Sequence, residues 1–168
     1  MHQEVRDFVL MLKMQFPEMF VSKRVLECGS YNINGTVRDY FDGCYYRGLD
    51  IHDGDGVDYV VSIVEYFNQE RTQWDVVICS EALEHDREWK ESWLSMVKML
   101  APGGLMIMTC AGPERAEHGT TAVGPNLSPA TNDYYGNRRL EDFYIPPHTF
   151  KTVQYVRGKK DVNIAFKL

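Results

Sequence analysis

No apolar run in this sequence approaches the roughly 20 residues that a bilayer span requires. Glu4, Arg6 and Asp7 interrupt the first apolar residues, so the start has no signal-peptide layout. The four cysteines, Cys28, Cys44, Cys79 and Cys110, form no CxxC pair and no zinc-finger spacing. These absences lead us to expect no membrane partner, no disulfide framework and a reduced, cytoplasmic chain. Lys and Arg are nowhere clustered and the formal charge is −6, so nucleic acid is a disfavoured partner. Neither an internal repeat nor a low-complexity segment is present. The nicotinamide fingerprint GxGxxG is missing too, because Tyr31 and Asn34 follow Gly29 where glycines should stand.

What is present is an ordinary globular composition, 44% hydrophobic and 25% charged, over 168 residues. That length suits one domain, 1–168, with one well-formed core. Val5, Phe8, Val9, Leu12 and Phe16 repeat at the spacing of an amphipathic helix over 3–16, which Pro17 ends, so 1–20 reads as an N-terminal helical segment. Short apolar runs predict strands at Arg24–Cys28, Tyr45–Asp50, Asp58–Val61, Trp74–Cys79 and Leu105–Cys110. A helix is expected over Thr36–Phe41. Another is expected from Asp86 as N-cap to Leu100, with Pro102-Gly103-Gly104 stopping it. Asn132–Phe143 reads as a further helix, and Phe150–Val156 with Val162–Phe166 as a closing antiparallel hairpin. Strands alternating with helices predict a doubly wound α/β sheet, mostly parallel.

In such a sheet ligands sit beyond the carboxyl ends of the strands, so the residues following each strand matter most. After the first run come Glu27, Cys28, Gly29 and Ser30, and a loop reaching Asn34 and Gly35. Asp50 ends the second run, 21 residues after Gly29, where an acid accepts hydrogen bonds from ribose hydroxyls. A carboxylate at Glu27 would repel a pyrophosphate but suits a cationic amino group. The three cysteines at strand ends, Cys28, Cys79 and Cys110, read as small buried hydrophobes, and Trp89 and Trp93 as core.

Glu27-x-Gly29, Gly48-Leu49-Asp50-Ile51, Trp74 through His85, and Leu100-Ala101-Pro102-Gly103-Gly104 resemble, in order and spacing, the motifs of class I S-adenosylmethionine-dependent methyltransferases. The likeness is greatest to the small methyltransferase-domain (type 11-like) group with a Leu-Glu-His tripeptide, and it covers roughly residues 22–112. It implies a Rossmann-like seven-stranded sheet of order 3-2-1-4-5-7-6 with the last strand antiparallel. It also implies S-adenosylmethionine as cofactor and methyl transfer to a small-molecule acceptor by direct displacement. Carried over by position, Glu27, Gly29 and Ser30 line the methionine end, and Asn34 and Ser80 are further cofactor-binding residues. Asp50 holds the ribose, and Ile51, Ser62 and Ile63 meet the adenine, with Ser62 standing where an aspartate is common.

Glu81, Glu84 and His85 would share one face if a helix began near Ser80. The three could then bind a divalent metal, but the favoured reading is that Glu84 and His85 orient the cofactor loop or cap the next helix. His85, Glu84 and His118 are the candidates for catalysis. The stretch 112–147 reads as a substrate lid bearing His118, Tyr134 and Tyr135. Little chain remains to shape a pocket, which argues for a small acceptor or for a homo-oligomer that completes the site. A non-catalytic S-adenosylmethionine-binding or interaction module and a nicotinamide enzyme are the rival readings.

Overall fold

The structure, a computed structural model, describes residues 3–124, 128, 130–147, 149–157 and 159–168. Seven strands form one sheet: β1 (Arg24–Cys28), β2 (Tyr45–Asp50), β3 (Tyr59–Val60), β4 (Trp74–Ser80), β5 (Leu100–Ala111), β6 (Phe150–Arg157) and β7 (Asp161–Lys167). Their order is β3-β2-β1-β4-β5-β7-β6. The first five pair in parallel, and β7 runs antiparallel to both β5 and β6. This is the expected doubly wound sheet, with its order and its antiparallel last strand.

Alternation along the strands divides the core into two layers. Leu26, Val77, Met106 and Ile164 face α2 (Ile63–Glu70) and α3 (Trp89–Met99), where Tyr66, Trp93 and Met96 are buried against them. Val25, Val76, Ile107 and Ala165 face α1 (Gln3–Gln15), which packs Phe8, Val9 and Leu12 on them. Burying each such side chain contributes about 1.5–3 kcal/mol, which is why apolar patterning placed the strands well. Cys28 and Cys79 are register partners, and with Cys110 they are fully buried free thiols in the first layer. Trp93 is core, and its Nε1–H donates to the Tyr144 carbonyl at 2.7 Å.

Several expected elements differ. Thr36–Phe41 is not a helix, and only Arg38–Tyr40 makes a single 3-10 turn. Six residues cannot offset the nucleation cost of a helix, and Thr36 Oγ1 already accepts the Arg38 N–H. Asn132–Phe143 is not a helix either: it begins in a turn, continues irregularly and makes one 3-10 turn at Leu140–Asp142. Its backbone bonds go elsewhere: Gly136 N–H donates to the Glu84 carbonyl and Arg138 N–H to the Ala111 carbonyl. The helix expected to start at Asp86 starts at Trp89, because Asp86 Oδ1 accepts the Glu88 N–H in a tight turn before it. It stops at Met99, not Leu100, since Leu100 turns extended and pairs with Trp74. The third strand is shorter than expected and the last two are each longer by a residue or more. Helix α2 was not foreseen, although Ser62-Ile63-Val64-Glu65 carries a capping-box pattern. The Ser62 hydroxyl accepts the Glu65 N–H, and the Glu65 carboxylate reaches back to Ser62.

Candidate functional site

At the carboxyl ends of β1, β2, β4 and β5 lies an open cavity of about 1350 Å³. A drug-sized ligand fills roughly 300–1,000 Å³, so this space accommodates more than one small molecule. It lies where the strand order reverses, between β1 and β4.

The turn after β1 forms one wall. Gly29 has φ 78°, a left-handed angle, and a Cβ there would collide with the Ala82 methyl in the turn after β4. Its N–H and that of Ser30 both donate to the Leu49 carbonyl on β2. The rest of the loop, lacking the usual glycines, leans on the β2–β3 connection. The Tyr31 ring lies 5.0 Å from that of His52, and the Asn32 side chain donates to Asp55 at 2.7 Å.

Two carboxylates flank that turn. Glu27 is buried at 4% exposure and accepts the Tyr46 hydroxyl at 2.9 Å. Burial pushes its carboxyl up to about 7, the Tyr46 bond opposing the rise. Asp50 accepts the backbone N–H groups of Tyr31 at 3.1 Å and His52 at 3.0 Å. An ionised carboxylate has about four lone-pair positions, so Asp50 keeps capacity for two ligand hydroxyls. The hydroxyls of Ser30 and Ser80 are buried at the same cavity and meet no partner among the described residues.

The turn after β4 is the least regular part. Glu81 sits at φ 54°, and the chain forms tight turns up to Glu88 instead of a helix. The one-face arrangement expected for Glu81, Glu84 and His85 is therefore absent. Glu81 turns to Arg115 at 3.2 Å, and Arg115 also pairs with Asp161. Burial raises the Glu81 carboxyl, and the Arg115 guanidinium opposes the rise. Glu84 is fully buried and its carboxyl is raised to about 8, by burial first and the Glu81 charge second. His85 is pushed down to about 4 by burial and then by His118, so its ring is neutral near neutral pH.

Over this turn lies the strap formed by 112–124 and 130–138. The rings of His85, His118 and Tyr135 meet edge to face, with centroids 4.9 to 5.4 Å apart. Arg138, buried, donates to the Leu83 carbonyl at 3.0 Å and to the Tyr134 hydroxyl at 3.1 Å, which pins the strap to the β4 turn.

No family model and no curated protein matches the chain. Solved structures do. The 1,6-didemethyltoxoflavin-N1-methyltransferase of Burkholderia thailandensis, with 1,6-didemethyltoxoflavin and S-adenosylhomocysteine bound, superimposes with a TM-score of 0.63 at 12% identity. That match covers 98% of this chain and 78% of the other. The N-methyltransferase NodS of Bradyrhizobium japonicum with S-adenosylhomocysteine gives 0.61 at 14%, over 96% and 85%. Magnesium protoporphyrin IX methyltransferase of Synechocystis with bound S-adenosylmethionine gives 0.61 at 14%, over 98% and 78%. The fold is the class I methyltransferase fold.

Within that fold, Glu27, Gly29, Ser30, Asn34, Asp50, Ile51, Ser62, Ile63 and Ser80 all line the one cavity. Ser62 lines it through its position, while its hydroxyl is engaged in capping α2. His85, His118 and Tyr134 line the opposite part, and Tyr135 packs behind them on the two histidines. The lid expectation falls partly on 125–127 and 129, outside the described residues. Tyr46 and Arg115 were missed. Tyr46 was legible, since it lies two residues before Gly48, the register partner of Glu27. Arg115 lies in a loop with no periodicity to place it.

Proposed function

We propose that this chain is an S-adenosylmethionine-dependent methyltransferase acting on a small-molecule acceptor. The observation that carries the reading is the pairing of Glu27 and Asp50 across the Gly29 turn, on neighbouring strand ends and facing one cavity. The unpartnered hydroxyls of Ser30 and Ser80 give that cavity further polar groups to hold a ligand. The donor set fits the cofactor: a buried carboxylate for an ammonium group, and a half-committed one for ribose hydroxyls. Similar folds crystallised with S-adenosylmethionine or S-adenosylhomocysteine lend the same support.

In this reading Glu27, Ser30 and Ser80 hold the methionine end, Asp50 the ribose, and Ile51 and Ile63 the adenine. When bound, the cofactor supplies a sulfonium methyl group that the acceptor's nucleophile displaces directly. The protein aligns the two reactants and keeps water out. His85, His118 and Tyr134 face the acceptor side, with Glu84 beneath them, so the candidate catalytic groups gather where alignment is needed. A carboxylate at Glu27 disfavours a dinucleotide.

Isothermal titration with S-adenosylhomocysteine and, separately, NADH tests this. Binding of the first and not the second is expected. Binding of NADH alone would overturn the assignment. Activity is then sought by screening acceptors for S-adenosylhomocysteine release.

A further inference from the structure

Glu84, His85 and His118 each bring a ligand atom within 4.8 Å of the other two. The first two come from the turn after β4 and the third from the loop after β5. Glu84 Oε1 accepts the Ala111 N–H at 3.2 Å, whereas Oε2 is buried and meets no donor among the described residues. A buried carboxylate oxygen left without a donor is costly unless a cation or hydrogen bond compensates it. His85 Nδ1 is buried and makes no close hydrogen bond among the described residues, the Tyr134 backbone being near enough only for a weaker contact with the ring, while Nε2 lies 3.5 Å from the Ser128 hydroxyl. His118 Nδ1 lies 3.2 Å from the Ala116 carbonyl. That contact requires the proton on Nδ1 and leaves a lone pair at Nε2, as in imidazoles that a backbone carbonyl holds behind a metal. Gly119, at φ 73°, lets this loop press on its neighbour, since a Cβ there would come within 2.9 Å of His85 Cε1.

We propose that Glu84, His85 and His118 form a binding site for a divalent transition-metal ion in the wall of the cavity. Two imidazoles and one carboxylate suit zinc, iron or cobalt, whereas magnesium and calcium take oxygen donors. Bonds of about 2.1 Å in a tetrahedral site space the ligands about 3.4 Å apart. Small side-chain rotations, chiefly of half-buried His118, therefore close the three onto an ion. Glu81 is not part of the set, because Arg115 holds it. His85 and His118 line the cavity, so the ion's open positions face it and would take a donor atom of the acceptor.

The test uses the untagged full chain, stripped with chelator and titrated with ZnCl2 and with MgCl2 by calorimetry. Visible absorption of the CoCl2-loaded chain reports the ligand field. We expect one equivalent of zinc to bind and magnesium to bind far more weakly. His118→Ala and His85→Ala each lower zinc affinity, by about tenfold or more as loss of even a supporting group does, and Glu84→Gln does the same. Circular dichroism of each variant in chelator shows that its fold is retained, and His118→Ala, on a half-buried loop, leaves the core untouched. Failure of the wild-type chain to bind zinc or cobalt would overturn the site. So would zinc affinity that both histidine variants leave unchanged. S-adenosylhomocysteine titrated into the stripped chain reports the cofactor reading separately, whatever the metal result.

Discussion

Glu27 holds its proton differently in the folded and unfolded chain, and it faces the cavity. Its carboxyl lies at 4.5 when exposed and at about 7 when buried in the fold. The folded chain therefore holds that proton more tightly. This contribution to stability is full below pH 4.5 and is lost as pH rises through 7. Glu27→Gln should stabilise the unliganded chain at pH 8 by up to about 3 kcal/mol and by nothing at pH 4, read from urea unfolding. Binding has the opposite sign. A cationic amino group needs the ionised carboxylate, so S-adenosylhomocysteine affinity should fall about tenfold from pH 8 to pH 6. In Glu27→Gln the affinity should be weaker and flat across that range, and a flat profile in the wild-type chain would refute this role. Asp50→Ala should weaken the same ligand about tenfold or more, as loss of a hydrogen-bonded charged group does. Unchanged affinity would remove Asp50 from the ribose site.

At the scale of elements, the site depends on two turns clasped together, one after β1 and one after β4. Gly29→Ala puts a methyl group against Ala82 in a left-handed backbone. We expect a loss of about 3 kcal/mol, measured by chemical unfolding. Ser62→Ala removes the cap of α2 and should cost about 1 kcal/mol with no change in cofactor affinity greater than that implies. Strands such as Trp74–Ser80 were legible because a buried parallel strand is almost continuously apolar. That the expected residues at the ends of β1, β2 and β4 would share a cavity was legible for the same reason, since it follows directly from where those strands end. The region after β4 was not. Glu81 takes a left-handed angle that no side-chain pattern announces, and Arg115 draws it away from Glu84 and His85. The 132–143 stretch carries helix-forming residues, yet its amide groups are spent on β4-turn and β5 carbonyls. Long-range pairings of this kind leave no periodic trace in a sequence.

At the scale of the molecule, α2 and α3 cover one face of the sheet and α1 the other, while the long connection after β5 is spent as a strap over the strand ends. The strap supplies His118, Tyr134 and Tyr135. Among the described residues, no helix is long and apolar enough to cross a membrane. The cavity thus has polar groups from the strand ends on one part of its wall and His85, His118 and Tyr134 on another. Calorimetric titration of the full chain with S-adenosylhomocysteine at pH 8 tests the central claim most directly. One equivalent should bind with micromolar affinity, and Asp50→Ala should lose most of it. Absence of heat and of any thermal stabilisation at ligand concentrations well above micromolar would contradict the account.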